Sequence, residues 1–183
     1  MTTAKRNTIV LVMLISAFVA MLNQTILNTA LPAIIKGLNI TETTAQWLIT
    51  GFMLVNGIMI PLTAFLMDKY TTRKLYIFSM AAFLIGSIIA ALSPGFEILM
   101  VARIIQAIGA GILLPLMQFT VFTLFPVEKR GFAMGLTGIV AQTAPAIGPT
   151  LTGLLIDFFS WRMPFYIVAA IALIAFAIGF FFV

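Results

Sequence analysis

The chain contains no cysteine and no histidine. The first absence excludes disulfides, thiolate nucleophiles and soft metal sites. The second removes imidazole metal ligands and the usual general base near neutral pH. Charge is almost as scarce, with 8% Asp, Glu, Lys and Arg among 183 residues and only five acids against ten bases. Those acids, Glu42, Asp68, Glu97, Glu128 and Asp157, are scattered, so neither a carboxylate-only metal site nor a catalytic pair on one helix face is expected. HExxH and nucleophile-elbow patterns are missing as well. No enzyme, no metal and no cofactor is anticipated.

What the chain has instead is apolar length. It is 62% hydrophobic with a mean hydropathy of +1.19, and so few polar groups cannot cover a water-soluble surface. A helix needs roughly 20 mainly apolar residues to cross a hydrocarbon core of about 30 Å. Six such windows run approximately Thr8–Ala30, Thr44–Met67, Leu75–Leu92, Ile98–Phe122, Phe132–Ile156 and Pro164–Val183. No ten-residue alternation of the β-barrel kind occurs. The expectation is an all-α membrane protein of six spans. No cleavable leader is expected, because the first apolar run already has full span length.

Cytoplasmic loops carry excess lysine and arginine. With both termini inside, Lys5, Arg6, Lys69, Arg73, Lys74, Lys129 and Arg130 are cytoplasmic; only Lys36 and Arg162 lie outside, and Arg103 falls within a span. This predicts a multi-pass protein of the cell membrane. The net charge of +5 then reflects topology and contact with anionic lipid, and no nucleic-acid partner is needed to explain it.

The sequence repeats itself. TAFLMDKYTTR, Thr63 to Arg73, follows the second span, and TGLLIDFFSWR, Thr152 to Arg162, follows the fifth, 89 residues later. In both, an arginine stands five residues beyond an aspartate. The second span descends where the fifth ascends, so spans one to three (about 8–92) and four to six (about 98–183) read as inverted repeats, an arrangement of secondary transporters. Convergence at helix ends is the plainer alternative.

Residues 137–153, TGIVAQTAPAIGPTLTG, place two prolines four apart inside a span. Gly138, Ala141, Gln142, Pro145, Gly148, Pro149, Thr152 and Gly153 share one small, mildly polar face; Val140, Ile147, Leu151, Leu154 and Phe158 share an oily one. The prolines predict a bend whose freed carbonyls are met by neighbouring helices or by Thr143, Thr150 or Thr152. A merely well-packed kinked span is the plain alternative.

This stretch resembles the antiporter signature of the major facilitator superfamily, near G-x-x-x-x-G-P-x-x-G-P-x-x-G-G. Gly138, Pro145, Gly148, Pro149 and Gly153 match it, while Ala144 and Thr152 replace glycines. LMDKYTTRK, Leu66 to Lys74, is similar to the loop signature between spans two and three, through Asp68, Arg73 and Lys74, with Ala64 and Thr71 where glycine is usual. LMVARIIQAIGAG, Leu99 to Gly111, is similar to the fourth-span pattern through Arg103, Gln106, Gly109 and Gly111. MLNQTILNTALP, Met21 to Pro32, resembles the first-span pattern of the fourteen-span drug:proton antiporters of QacA and EmrB type. The acid of that pattern is Asn23 here, a variant shared with proteins resembling lincomycin-resistance pumps.

The resemblance implies the N-terminal six-helix bundle, residues 1–183, of a multidrug exporter driven by a proton gradient, with the C-terminal bundle or a second chain as its counterpart. It implies a cytoplasmic gate at Asp68, Lys69, Arg73 and Lys74, with Asp157 and Arg162 as the outer repeat counterpart. It gives Arg103, beside Gln106, a part in proton coupling through a carboxylate absent from this chain. From the residues themselves, the polar and small stripe of Arg103, Gln106, Ala107 and Ala110 faces a cavity or another helix, with snorkelling of Arg103 to the outer headgroups as the plain alternative. Asn23, Gln24, Thr25, Asn28, Met53, Asn56, Met117, Gln118 and Gln142 are candidates for a substrate cavity, and eleven methionines and seventeen phenylalanines offer an adaptable lining for lipophilic substrates. An importer or facilitator of the same fold, or a non-transporting scaffold, remains as the alternative.

Overall fold

Lipid offers the peptide group no hydrogen-bond partner, so an apolar run of span length must bond to itself along a helix. The computed structural model describes residues 3–183, with side chains from Lys5 onward. It contains α1 (Thr3–Leu38), α2 (Glu42–Lys69), α3 (Thr72–Leu92), α4 (Phe96–Leu124), α5 (Arg130–Phe158) and α6 (Met163–Phe182), with a short 3-10 turn Val127–Lys129 before α5. All six are long and apolar enough to span a membrane. Helix α1 extends more than a turn beyond its apolar window at each end, and the other five follow their windows to within three residues.

The boundaries follow from local chemistry. Asn39 takes the left-handed backbone, φ 52°, that reverses the chain after α1. Thr41 then caps α2 by accepting from the Thr44 amide at 3.2 Å, and Thr71 caps α3 from the Lys74 amide at 3.4 Å. Glu42 in the first turn of α2 and Lys69 in its last both complement the helix dipole.

Packing obeys the inverted repeat. Exchanging α1 with α4, α2 with α5 and α3 with α6 turns the α1–α5 contact into α4–α2, turns α1–α6 into α4–α3, and maps α3–α6 onto itself; these are the principal contacts of the bundle. Single residues agree. Gly111 lies against Met59, and Gly148 against Leu22, the same pair displaced by 89 positions. Arg73, at the start of α3, donates through Nη2 to the Phe180 carbonyl near the end of α6 (2.8 Å). Arg162, just before α6, donates to the Ser93 carbonyl just past α3 (2.9 Å). Each arginine thus supplies a donor to a carbonyl left open at a helix end.

A charge-assisted bond of this kind contributes about 1.5–3 kcal/mol when buried and nearer 1 kcal/mol when exposed to water. Arg73→Ala and Arg162→Ala should therefore each lower the melting temperature in detergent by roughly 2–4 °C, with the double variant losing the sum. A thermal shift near zero for both would remove the arginines from the account of the fold.

The interior is filled by Met13, Phe52, Tyr76, Phe83 and Phe165, all essentially buried. Tyr76 ties three helices together: its hydroxyl donates to the Ala175 carbonyl on α6 and shares a hydrogen bond with Ser16 on α1, both at 2.9 Å. Gly179 leaves room for that ring, since a Cβ there would collide with it. The helices least enclosed by the bundle are α5 and then α2 and α6.

Among the described residues, none of the hydroxyls of Thr143, Thr150 and Thr152 meets a carbonyl freed by the prolines of α5. Helix α5 runs unbroken through Pro145 and Pro149. Thr143 bonds the Ile139 carbonyl at 2.7 Å, one turn before its own position, and the Thr152 hydroxyl is buried without a partner, so neither serves the carbonyls that the prolines free. Compensation of that kind is found in α4 instead. Pro115 leaves the Gly111 carbonyl without its helical donor, and Thr63 of α2 reaches that oxygen at 3.3 Å while also bonding the Met59 carbonyl. Thr63 and Thr152 are repeat counterparts. In the first repeat the carbonyl equivalent to Gly111 is that of Leu22, and Thr25 of the same helix already occupies it at 2.9 Å.

Candidate functional site: a buried arginine network

Arg103 is 1% exposed, so it neither snorkels to headgroups nor opens onto a cavity. It is the largest fully buried side chain described. One turn along α4, Gln106 accepts from Arg103 Nη1 at 3.0 Å. The Gln106 amide in turn donates to Ser87 Oγ on α3 at 3.0 Å and, more weakly, to Asn23 Oδ1 on α1 at 3.5 Å. Ser87 Oγ in turn donates a hydrogen bond to the Phe83 carbonyl oxygen at 2.7 Å. From the remaining side, the Phe52 ring of α2 lies 4.1 Å from the guanidinium carbon. Four helices therefore meet at one cation.

Gly86 makes this closeness possible. A Cβ there would stand 2.7 Å from Gln106 Cγ and 2.8 Å from the Ala102 carbonyl, so only glycine lets α4 approach α3 near enough for Gln106 to reach Ser87.

Neutral groups surround the charge. A buried cation without a carboxylate carries a desolvation cost of several kcal/mol, which hydrogen bonding to Gln106 and a desolvated cation–π contact of about 2 kcal/mol offset in part. Two donors, Arg103 Nε and Asn23 Nδ2, remain without acceptors. The site thus retains unspent hydrogen-bonding capacity and a net positive charge.

The other candidates divide. Asn56 and Met117 are buried in the bundle, Asn56 with an unpartnered Oδ1 facing Gly111. Gln24 and Thr25 are half-buried; Asn28, Met53, Gln118 and Gln142 are exposed. Of the residues taken together as a substrate cavity, only Asn23 joins the Arg103 network. Ser87 and Phe52, which do join it, carry no motif and emerge only once α2 and α3 are folded against α4.

The small face of α5 is split as well. Gly148 and Thr152 pack inward, with a Cβ at Gly148 colliding with Thr25 Oγ1. Gly138, Gln142, Pro145 and Pro149 are exposed, Gly153 is partly so, and nothing lies within 4 Å of where a Cβ on Gly138 or Gly153 would be. The oily residues Ile147, Leu151, Leu154 and Phe158 are exposed beside them.

At the loop signature, Asp68 is exposed and does not pair with Arg73, whose guanidinium is held by Phe180, or with Lys69, whose ammonium sits 4.4 Å over the Phe65 ring. Lys74 is exposed. At the opposite end Asp157 lines a groove of about 350 Å³ with Lys36 and Gly153, while Arg162 stacks on Trp161 at 4.5 Å.

The sequence profile of the Major Facilitator Superfamily matches residues 13–183. Among curated relatives, an MFS-type transporter of Bacillus subtilis (strain 168), YcnB, is 54% identical over 92% of this chain and 36% of its own length. The lincomycin resistance protein LmrB of the same organism is 43% identical over 93% of this chain and 36% of its own. The chain spans about a third of the length of these relatives. Among solved structures, a peptide transporter POT in complex with alafosfalin superposes with a TM-score of 0.83 at 13% identity, over 93% of this chain and 37% of that one, a likeness of fold alone. Six membrane-spanning helices in inverted repeats, the buried arginine with its glutamine, and a profile match over nearly the whole chain agree: this is a multi-pass membrane protein of the Major Facilitator Superfamily, a family of transporters and not of enzymes.

Proposed function

We propose that these six helices form the N-terminal half of a drug exporter that exchanges lipophilic substrates for protons by alternating access. The observation that carries the reading is the exposed face of α5. Gln142 lies near the middle of a 29-residue helix, flanked by Gly138, Pro145 and Pro149, and it is exposed in the bundle. An amide at mid-membrane depth is costly against hydrocarbon, so such a face needs protein or water beside it. A second bundle meeting α2 and α5 supplies both, with the substrate path between the halves. Asn28 and Gln118 are exposed amides of the same kind. The similarity to LmrB favours export, and lincomycin is named for that relative only.

In this reading both termini are cytoplasmic in the cell membrane, and Asp68, Lys69, Arg73 and Lys74 form the inner gate, with Asp157 and Arg162 as a lesser outer counterpart. Arg103 and Gln106 serve proton coupling. No carboxylate lies deep in the six helices, and Asn23 cannot titrate, so the proton carrier belongs to the other half. Arg103 acts by stabilising that carboxylate's ionised form.

The test is efflux by the full-length gene product in everted membrane vesicles, with a lipophilic dye as probe. An imposed proton gradient should drive dye transport, and a proton ionophore should abolish it. Transport that continues unchanged after the gradient collapses would contradict antiport, and an absence of dye movement in either direction would favour a scaffold.

A further inference from the structure

Helices α2 and α3 are joined by only two residues, Tyr70 and Thr71, yet they scarcely touch along their lengths. Each is held to α4 instead. Thr63 and Asn56 bring α2 against Gly111, while α3 is locked to α4 where Gly86 and Gly109 meet the facing backbone. The two helices consequently diverge from their turn and leave a slot of about 480 Å³ between them, floored by Ile108 of α4 and walled by Met59, Leu66, Leu75 and Phe78. Tyr70 and Lys74 stand at its mouth.

We propose that this slot binds one acyl chain of an anionic phospholipid, with the headgroup at Lys74 and Tyr70. Three observations converge. First, the walls are apolar, and an apolar slot at this depth fills with hydrocarbon in preference to water. Second, its length suits one leaflet: Met59 is eleven positions from Tyr70, about 16 Å at 1.5 Å per residue, against half of a hydrocarbon core of about 30 Å. Third, the mouth carries positive charge ready for a phosphate. The Lys74 ammonium is exposed and pairs with no carboxylate, whereas Lys69 and Arg73 are already engaged by Phe65 and Phe180. The single acid of the turn, Asp68, is outnumbered by these three bases. An exposed phenol beside the lysine adds a hydrogen-bond donor at headgroup level. This site requires only that the protein span a membrane and is independent of the transport reading.

The experiment reconstitutes the full-length gene product in vesicles containing a trace of phosphatidylglycerol with a diazirine in its acyl chain, or the matching phosphatidylcholine, followed by photolysis and mapping of adducts by mass spectrometry. Phosphatidylglycerol adducts should concentrate on peptides containing Leu66, Phe78 and Ile108, at least roughly threefold above phosphatidylcholine, a modest ratio for about one charge contact at a membrane surface. Lys74→Glu should reduce them to the phosphatidylcholine level, and Lys74→Arg should retain them. Equal labelling by the two lipids, labelling unaffected by Lys74→Glu, adducts spread evenly over all six helices, or a slot without adducts because polypeptide covers it would each overturn the proposal. If Lys74→Glu fails to insert, the comparison of the two lipids on the unmodified protein decides.

Discussion

Arg103→Met should abolish gradient-driven efflux by the full-length protein while leaving its melting temperature within a few degrees of wild type. Methionine approximates the volume of the buried stem and removes a cation that has no carboxylate partner, and replacing a buried charge by an apolar group of similar size is often neutral or stabilising. Arg103→Ala is the harsher variant. Both variants strip Gln106 of its donor, but alanine also leaves a void among α1, α2, α3 and α4, a further loss of about 2–5 kcal/mol, so it should fail in folding as well as in transport. Arg103→Lys retains charge but has no planar fork to reach Gln106 and stack on Phe52 together, and efflux at a tenth of wild type or less, a penalty of about 1.4 kcal/mol or more, is the expected outcome. Wild-type efflux from Arg103→Met would make the residue structural and would end its proposed role in proton coupling.

A large effect on folding is expected from the smallest change. A Cβ on Gly109 would lie 2.5 Å from the Ser79 carbonyl oxygen and 2.8 Å from the Phe83 amide nitrogen, and neither backbone atom can move away without shifting α3 as a whole. Overpacking against side chains costs about 1–3 kcal/mol; against two backbones the cost lies at or above that limit, so Gly109→Ala should lower the melting temperature by roughly 10 °C or prevent accumulation in the membrane. Gly138→Ala provides the contrast, because open space surrounds that position in the six-helix bundle. Fluorescence-detected size exclusion across a temperature series measures both. Unchanged stability in Gly109→Ala would mean that α3 and α4 lie farther apart than described. A loss of efflux in Gly138→Ala without a loss of stability would point to a partner meeting α5.

The spans were legible because hydrocarbon thickness imposes one length on every crossing, and the six apolar windows coincide with α1 to α6. The repeat was legible from the matched ends around Asp68 and Asp157, and packing extended it to pairs such as Gly111–Met59 and Gly148–Leu22 that no motif marks. The arginine network was half legible. Arg103, Gln106 and Asn23 stand in recognisable patterns, but Ser87 reads as one more small residue in an apolar run, and Phe52 as one of seventeen phenylalanines. Their part depends on the approach of α3 and α2 to α4, which periodicity on a single helix cannot express. For α5 the periodicity separates small from oily residues, but it does not show that α1 covers only one edge of the small side, through Ala133, Thr137, Ala144, Gly148 and Thr152, and leaves Gly138, Gln142, Pro145 and Pro149 exposed.

Clamped at its two ends, by Arg73 on Phe180 and by Arg162 on Ser93, the α3–α6 pair has the character of a single plank. A plank fixed at both edges resists shear in either direction, and the four helices without such a double fastening, α1, α2, α4 and α5, are the ones that carry a proline past their first turn. The α3–α6 pair is thereby the best-braced part of the bundle, with Arg73 and Arg162 as its two bolts.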